Sequence, residues 1–350
     1  MKKKALYNKV SRDILKERLA NDTTKRITLS FYKYYQLGNP RLFRDHFFIM
    51  LNELGVLGRI YVSYEGINGQ ISVPEHNHDA FKSALEEIIF LQNLRLNYAI
   101  EDDGKSFFKL TIKVRNKIVA DGLDDSTFDS SNRGIHLNAK DFNELTEKED
   151  TVVVDMRNHY ESEVGHFEGA ITPDVETFKE ALNEVEEILQ DHKDKNIIMY
   201  CTGGIRCEKA SAYYKHKGFE KVYQLEGGII EYARQAEKQG IKNKFKGKNF
   251  VFDERLGERI GNEVISHCHQ CGEPCDTHTN CANDACHILF LQCSKCAEEY
   301  DACCSKKCKE FVSLPENTRS ALRPKVEFNG TKFGKGRYKA LHKDEPLDVS

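Results

Sequence analysis

The chain contains no apolar run near the roughly 20 residues that a membrane helix needs, and Met1-Lys2-Lys3-Lys4 leads into charged residues rather than a hydrophobic signal region. These absences argue against a membrane span or secretory leader and make the cytoplasm the expected compartment. No motif for flavin, haem or a nucleotide is present, nor the two-histidine, one-carboxylate pattern of an iron site. Net charge is small as well, at -3. It is unevenly spread: Asp141 to Asp194 holds 17 acidic and 4 basic residues, whereas Met1 to Arg26 holds 9 basic and 3 acidic, and Pro315 to Lys343 holds 8 and 2. Basic ends on an acidic middle suit a polyanion gripped at the ends, although solvated faces account for any one run. With 350 residues, 39% of them hydrophobic, two or three domains are expected. What the chain has in quantity is cysteine, 12 in all. In a reducing compartment these read as thiols, metal ligands or catalytic groups, not structural disulfides.

Two cysteines stand apart from the rest, in Tyr200-Cys201-Thr202-Gly203-Gly204-Ile205-Arg206-Cys207. The apolar Asn196 to Tyr200 reads as a buried strand and Glu208 to Lys217 as a helix, so Cys201 falls at a strand-to-helix turn. Gly203 and Gly204 let the turn curl until its N–H groups converge on the sulfur, and the helix N-terminus adds positive potential. Such surroundings favour the thiolate. The alternative is an ordinary packed cysteine. The candidate catalytic residues are therefore Cys201 and Arg206, with Thr202, Gly203, Gly204, Ile205 and Cys207 forming the cradle. Cysteine-dependent phosphatases use a CxxxxxR loop, one residue longer than the interval here; the shorter ring suits one extra sulfur, a persulfide.

The surrounding motifs resemble a rhodanese domain. Val152-Val153-Val154-Asp155-Met156-Arg157 is similar to that family's opening strand and Asp-x-Arg signature. Gly165-His166-Phe167-Glu168-Gly169-Ala170-Ile171 is similar to its GHxxGAI turn, and Val222 to Gly228 to its closing strand.

Ahead of these motifs, a basic lead helix (Val10 to Leu19) is followed by a strand (Arg26 to Lys33), a helix (Pro40 to Leu54), and two strands (Gly58 to Ser63, Gly66 to Val73) around Tyr64-Glu65. A helix over Asn77 to Leu91 then places Phe81, Leu85, Ile88 and Ile89 on one face, and Phe107 to Val114 supplies a further strand, with Arg95 to Ile100 pairing nearby. The order βαββαβ is that of a ferredoxin-like α/β sandwich. Tyr64 to Gly69 reads as a plain hairpin or as a contact for RNA backbone. The expected division is residues 1–119, a ferredoxin-like (acylphosphatase-like) domain; 120–138, a linker; 139–240, a rhodanese parallel α/β domain; 241–314, a connector and cysteine-rich domain; and 315–350, a basic tail.

Ten of the cysteines lie between Cys268 and Cys308. Cys268 and Cys271 form one CxxC pair and Cys293 and Cys296 another, approximating a four-cysteine zinc site. Cys275, Cys281, Cys286, Cys303, Cys304 and Cys308 suffice for a second site, which their order along the chain would let interleave with the first. Reduced free thiols are the alternative, and the spacing matches no standard iron–sulfur run. So small a segment has little apolar core of its own, which argues for a structural metal, zinc. In the tail, Arg319, Arg323, Lys325, Lys332, Lys335 and Arg337 are interleaved with Phe328, Phe333 and Tyr338, the pattern of an RNA-binding arm or of a solvated tail.

The whole arrangement, with FVFDER and HCHQCGxPC after the rhodanese motifs, resembles the rhodanese-domain tRNA uridine hydroxylases. That resemblance implies an oxidoreductase that uses molecular oxygen to hydroxylate carbon 5 of the wobble uridine, giving 5-hydroxyuridine. It also implies tRNA, not DNA or membrane, as the partner, with Cys201 as the catalytic, persulfide-type residue. The loop alone equally suits a persulfide sulfurtransferase acting in tRNA thiolation or on a small acceptor. A zinc-stapled RNA-binding adaptor is the non-enzymatic alternative.

Overall fold

A computed structural model of the chain describes residues 6, 10–328, 338 and 347. Helix α1 (Arg12–Asn21) precedes strand β1 (Arg26–Tyr34). Asn39 caps α2 (Pro40–Glu53) through its side chain, with Pro40 at the first turn where no N–H is required. Strands β2 (Leu57–Ser63) and β3 (Gly66–Pro74) are joined by the two-residue turn Tyr64-Glu65. Helix α3 (His78–Glu86) ends earlier than apolar spacing suggests, giving way to a short 3-10 turn that buries Leu91 and leaves Ile89 84% exposed. Strands β4 (Asn97–Tyr98) and β5 (Leu110–Val114) complete an acylphosphatase-like sheet in the order β4-β1-β3-β2-β5. The two-residue β4 takes the edge beside β1, while β5 adds in parallel beside β2. The longer candidate strand is thus the extra one. Leu29, Phe31, Ile60, Val62, Ile71 and Phe81 are among its core.

The stretch read as a linker ends in strand β6 (Ile135–Leu137), followed by α4 (Ala139–Leu145), β7 (Thr151–Asp155), the single turn α5 (His159–Ser162) and β8 (Gly165–Phe167). Next come α6 (Phe178–Ile188), β9 (Asn196–Tyr200), α7 (Ile205–His216), β10 (Val222–Leu225) and α8 (Gly228–Gln239). Four of these strands form a parallel sheet in the order β6-β10-β9-β7, as helix crossovers require. The connector returns as β11 (Phe245–Asn249) against β8 and as β12 (Glu258–Arg259) against β11.

The cysteine-rich segment contributes β13 (His278–Asn280), β14 (Leu289–Leu291), α9 (Ser294–Glu299), α10 (Lys306–Ser313) and α11 (Glu316–Leu322). No described helix is long and apolar enough to cross a membrane. The tail differs from a free aromatic arm at two positions: Phe328 packs edge-on against Phe311, and Tyr338 stacks on Phe290 and donates to the Cys304 carbonyl at 3.3 Å. Lys332, Lys335 and Arg337 lie outside the described residues.

Candidate active site

Every residue of β9 is buried, and the strand delivers Cys201, 1% exposed, to the foot of α7. Gly204 adopts a left-handed φ of +97°, and its N–H donates to Cys201 Sγ at 3.2 Å. Burial alone pushes the Cys201 thiol up; a hydrogen bond from Cys207, the charge of Arg206 and the amides of Arg206 and Cys207 outweigh it, bringing the pKa down to about 6. Burial pushes the Cys207 thiol well up, as does the neighbouring sulfur. Cys207 therefore stays protonated and serves as a donor to Cys201.

A second turn supports the loop from beneath. The N–H groups of Ile229 and Ile230 donate to the carbonyls of Cys201 (3.1 Å) and Thr202 (3.3 Å). Gly228, at φ +66°, comes so close that a Cβ there would stand 2.4 Å from the Cys201 oxygen. The doubled glycine of the closing motif is thus part of the loop's foundation.

Arg206 departs from the role of a free anion clamp. Its guanidinium makes a two-pronged, buried ion pair with Glu161 at 2.7 and 2.8 Å, and lies 5.8 Å from the Phe252 ring. Its charge still reaches the sulfur, but these two donors are committed. Glu161 was not evident from the sequence; its Oε1 also accepts the Asn158 N–H at 3.1 Å at the start of α5. Thr202 Oγ1 reaches the same carboxylate at 3.4 Å.

The acylphosphatase-like sheet covers this loop. Tyr32 Oη donates to Glu208 at 3.0 Å, Tyr34 Oη to the Ile205 carbonyl at 3.3 Å, and Asn97 Nδ2 to the Gly203 carbonyl at 3.4 Å. Lys209, nearly inaccessible, pairs with Glu65 and Asp125 at 2.8 Å, so the β2–β3 turn is engaged with α7 through Glu65. Helix α7 is consequently covered on several sides, with Arg206 through Ala212 all buried. Between the two domains and the connector lies a cavity of about 420 Å³ whose walls include Cys201, Gly203, Arg206, Asn97, Phe252 and Glu258. Its size and mixed polarity suit one nucleotide-sized ligand.

In the cysteine-rich module, Cys268, Cys271, Cys293 and Cys296 form one set and Cys281, Cys286, Cys304 and Cys308 another, all sulfurs of a set lying within 4.8 Å. Four thiolates held tetrahedrally at about 2.3 Å from an ion stand about 3.8 Å apart. Cys271–Cys293, Cys286–Cys304 and Cys304–Cys308 are each 3.7 Å apart, so either set could hold a metal ion. The sets alternate along the chain. Cys275 and Cys303 join neither: the Cys275 sulfur accepts the Thr277 N–H at 3.5 Å, and the Cys303 carbonyl accepts from Gln270 and Gln292. His269 pairs with Glu163 at 2.7 Å, tying the module to the rhodanese domain. Arg323 and Lys325 are exposed at the far end; Arg319 lies 3.9 Å from Glu316. Neither arginine nor lysine of this group lines the cavity.

The family model described as the UPF0176 acylphosphatase like domain matches residues 26–118, the Rhodanese-like domain model residues 138–235, and the Rhodanase C-terminal model residues 246–309. Over longer spans, a protein of Photorhabdus laumondii subsp. laumondii named tRNA uridine(34) hydroxylase is 56% identical over 336 residues, 95% of each chain. Proteins of the same name from Enterobacter sp. and Cronobacter sakazakii are 55% and 54% identical over 334 residues, again 95% of each chain.

Proposed function

The chain belongs to the tRNA uridine(34) hydroxylase family, and from that membership we propose that it hydroxylates carbon 5 of the wobble uridine of tRNA, with Cys201 as the reacting residue. The observation carrying this reading is a thiolate-competent Cys201 in the wall of a one-nucleotide cavity. An anticodon base is already unpaired, so turning it into such a pocket costs little.

In this mechanism the Cys201 thiolate adds to carbon 6 of the uracil, and the ring's electrons move onto carbon 5 and the carbonyl at carbon 4. Carbon 5 then takes one atom of molecular oxygen. The other leaves as water with two electrons and two protons from an external reductant. Loss of the proton on carbon 5 and departure of Cys201 restore the double bond. Gly204 N–H and the Cys207 thiol stabilise the sulfur whenever it carries charge, at the start and again on departure. Glu161 fixes Arg206 so that its field, rather than a mobile side chain, acts on the sulfur.

The two four-cysteine sets would hold zinc as a structural ion, since their thiol donors and sulfur spacing fit a tetrahedral site. Arg319, Arg323, Lys325, Lys332, Lys335 and Arg337 would neutralise tRNA phosphates. We place the activity in the cytoplasm, with its substrate.

The test is nucleoside mass spectrometry of tRNA incubated with the purified protein and a reductant, with and without oxygen. 5-Hydroxyuridine should form only with oxygen and fall more than about a thousandfold in Cys201→Ala. Undiminished product in that variant overturns the role of Cys201. Thiolated nucleosides in place of hydroxylated ones would point to sulfur transfer.

A further inference from the structure

The cavity beside Cys201 contains buried acceptors that lack donors. Asn97, 2% exposed, and Glu258, 0% exposed, both line it, and among the described residues Asn97 Oδ1 and Glu258 Oε2 find no hydrogen-bond partner. Asn158 Oδ1, in the same wall, is a third such acceptor, whereas Gln70 Nε2 donates to Asn68 Oδ1 at 2.9 Å, Asn68 Nδ2 donates to the Ile118 carbonyl at 3.1 Å, and Thr28 bonds Asp102 and Ser106. A buried acceptor left empty is costly, so three in one cavity point to a ligand that brings N–H or O–H groups.

Resting on the hydroxylase reading, we propose that Asn97 is the residue that selects uracil, its Oδ1 accepting the N3–H of the wobble base. Asn97 Nδ2 is held by the carbonyl of Gly203, two residues beyond Cys201. N3 and carbon 6 are opposite corners of the pyrimidine ring. In the proposed pose carbon 6 rests on the Cys201 sulfur and the N3 edge extends toward Gly203, where Asn97 is anchored. A cytosine presents a bare N3 lone pair there. Turning the Asn97 amide to offer Nδ2 would break its contact with Gly203 and set two carbonyl oxygens against each other, so the wrong base meets repulsion instead of a bond. Phe252, beside Arg206 in the same wall, gives the ring a stacking surface.

The experiment follows iodoacetamide alkylation of Cys201 in the full-length protein, read on its own peptide by mass spectrometry, with anticodon stem-loop RNAs added. A stem-loop with wobble uridine should slow alkylation at least tenfold more than one with wobble cytidine or N3-methyluridine, roughly the effect of one lost buried hydrogen bond. In Asn97→Leu the uridine advantage should vanish and KM for hydroxylation should rise about tenfold or more, with kcat changing less. Unchanged alkylation without RNA shows that this variant keeps its fold; if it does not, the N3-methyluridine arm decides the matter on the native protein. Equal protection by uridine and N3-methyluridine overturns the proposal, as does wild-type KM in a folded Asn97→Leu. A wild-type protein that is protected by uridine yet makes no 5-hydroxyuridine refutes the hydroxylase reading and leaves base selection standing.

Discussion

Cys201 and the eight clustered cysteines are the same side chain, mostly buried, in turn-rich backbone, yet their surroundings assign them opposite tasks. At Cys201 the partners are a Gly204 N–H at 3.2 Å, the Cys207 thiol and a fixed cation, so negative charge is stabilised and the sulfur faces a cavity. In the C-terminal module some sulfurs also accept an N–H, as Cys268, Cys281 and Cys308 do at 3.3–3.4 Å, but each set brings four sulfurs together, 3.7 Å apart in the pairs Cys271–Cys293, Cys286–Cys304 and Cys304–Cys308. Four thiolates cannot share so small a volume without a cation between them. Backbone conformation follows the same division. The left-handed positions supporting Cys201 are glycines, whereas the module forces His287, Asp301 and Ala302 to φ of 55°, 49° and 56°. Such strain persists only where the surroundings over-determine the chain, which metal–thiolate bonds would do. Reactivity or ligation is therefore set by what surrounds the sulfur.

Removing one sulfur of the set Cys281, Cys286, Cys304 and Cys308 tests this contrast most severely. Cys304→Ser should release about half of the bound metal and loosen the fold around the second set, because a structural site of this kind supplies much of the folding free energy of so small a unit. Metal analysis and limited proteolysis read the effect. Cys201→Ala should change neither, and metal loss in that variant would mean the two regions are not independent.

Glu161→Gln attacks the other side of the comparison. It leaves the buried Arg206 without its counter-charge, a loss of about 3–5 kcal/mol that denaturant unfolding should register. The same change frees the Arg206 field for the sulfur, so the Cys201 pKa should fall below its present value of about 6. An unchanged or higher midpoint would show that Arg206 does not act on Cys201.

Sequence reading reached the parts of both regions that are local. Cys201, its glycine turn and its flanking strand lie within a few residues, and the two CxxC pairs announce a knuckle by spacing alone. Residues joined only by folding were not legible. Glu161 lies 45 residues from Arg206, and Asn97 lies 106 from Gly203 in a strand too short to carry periodicity. In the second thiol set the pairs are spaced differently, so Cys275 and Cys303 looked as eligible as the four that converge. The ferredoxin-like architecture was legible from the order of its elements and the rhodanese one from its motifs; which strand took which edge was not, because β4 is recruited by β1 and not by its own propensity.

Gly228→Ala is a smaller perturbation of the reactive site. A Cβ would meet the Cys201 and Thr202 oxygens at 2.4 and 2.6 Å in a left-handed conformation, costing about 1–3 kcal/mol. The expected result is a lower melting temperature and weaker hydroxylation with metal content intact. Full activity with an unchanged melting temperature would remove Gly228 from the loop's foundation.

The gentlest test leaves the sequence alone and varies pH. Alkylation follows the thiolate fraction, and a Cys201 pKa lowered to about 6 means that its rate should rise as pH increases through 6 and level off above about 7. An unperturbed thiol would keep gaining until well past about 8.5. The clustered cysteines should resist alkylation across the same range until a chelator is added, and then react together, since a thiolate engaged with metal is a poor nucleophile. If Cys201 titrates like a free thiol, its amides and neighbours do not stabilise the anion. If the clusters react without chelator, their close packing is that of ordinary thiols. Opposite responses to pH and chelator in one protein would separate a sulfur kept for reaction from sulfurs kept for structure.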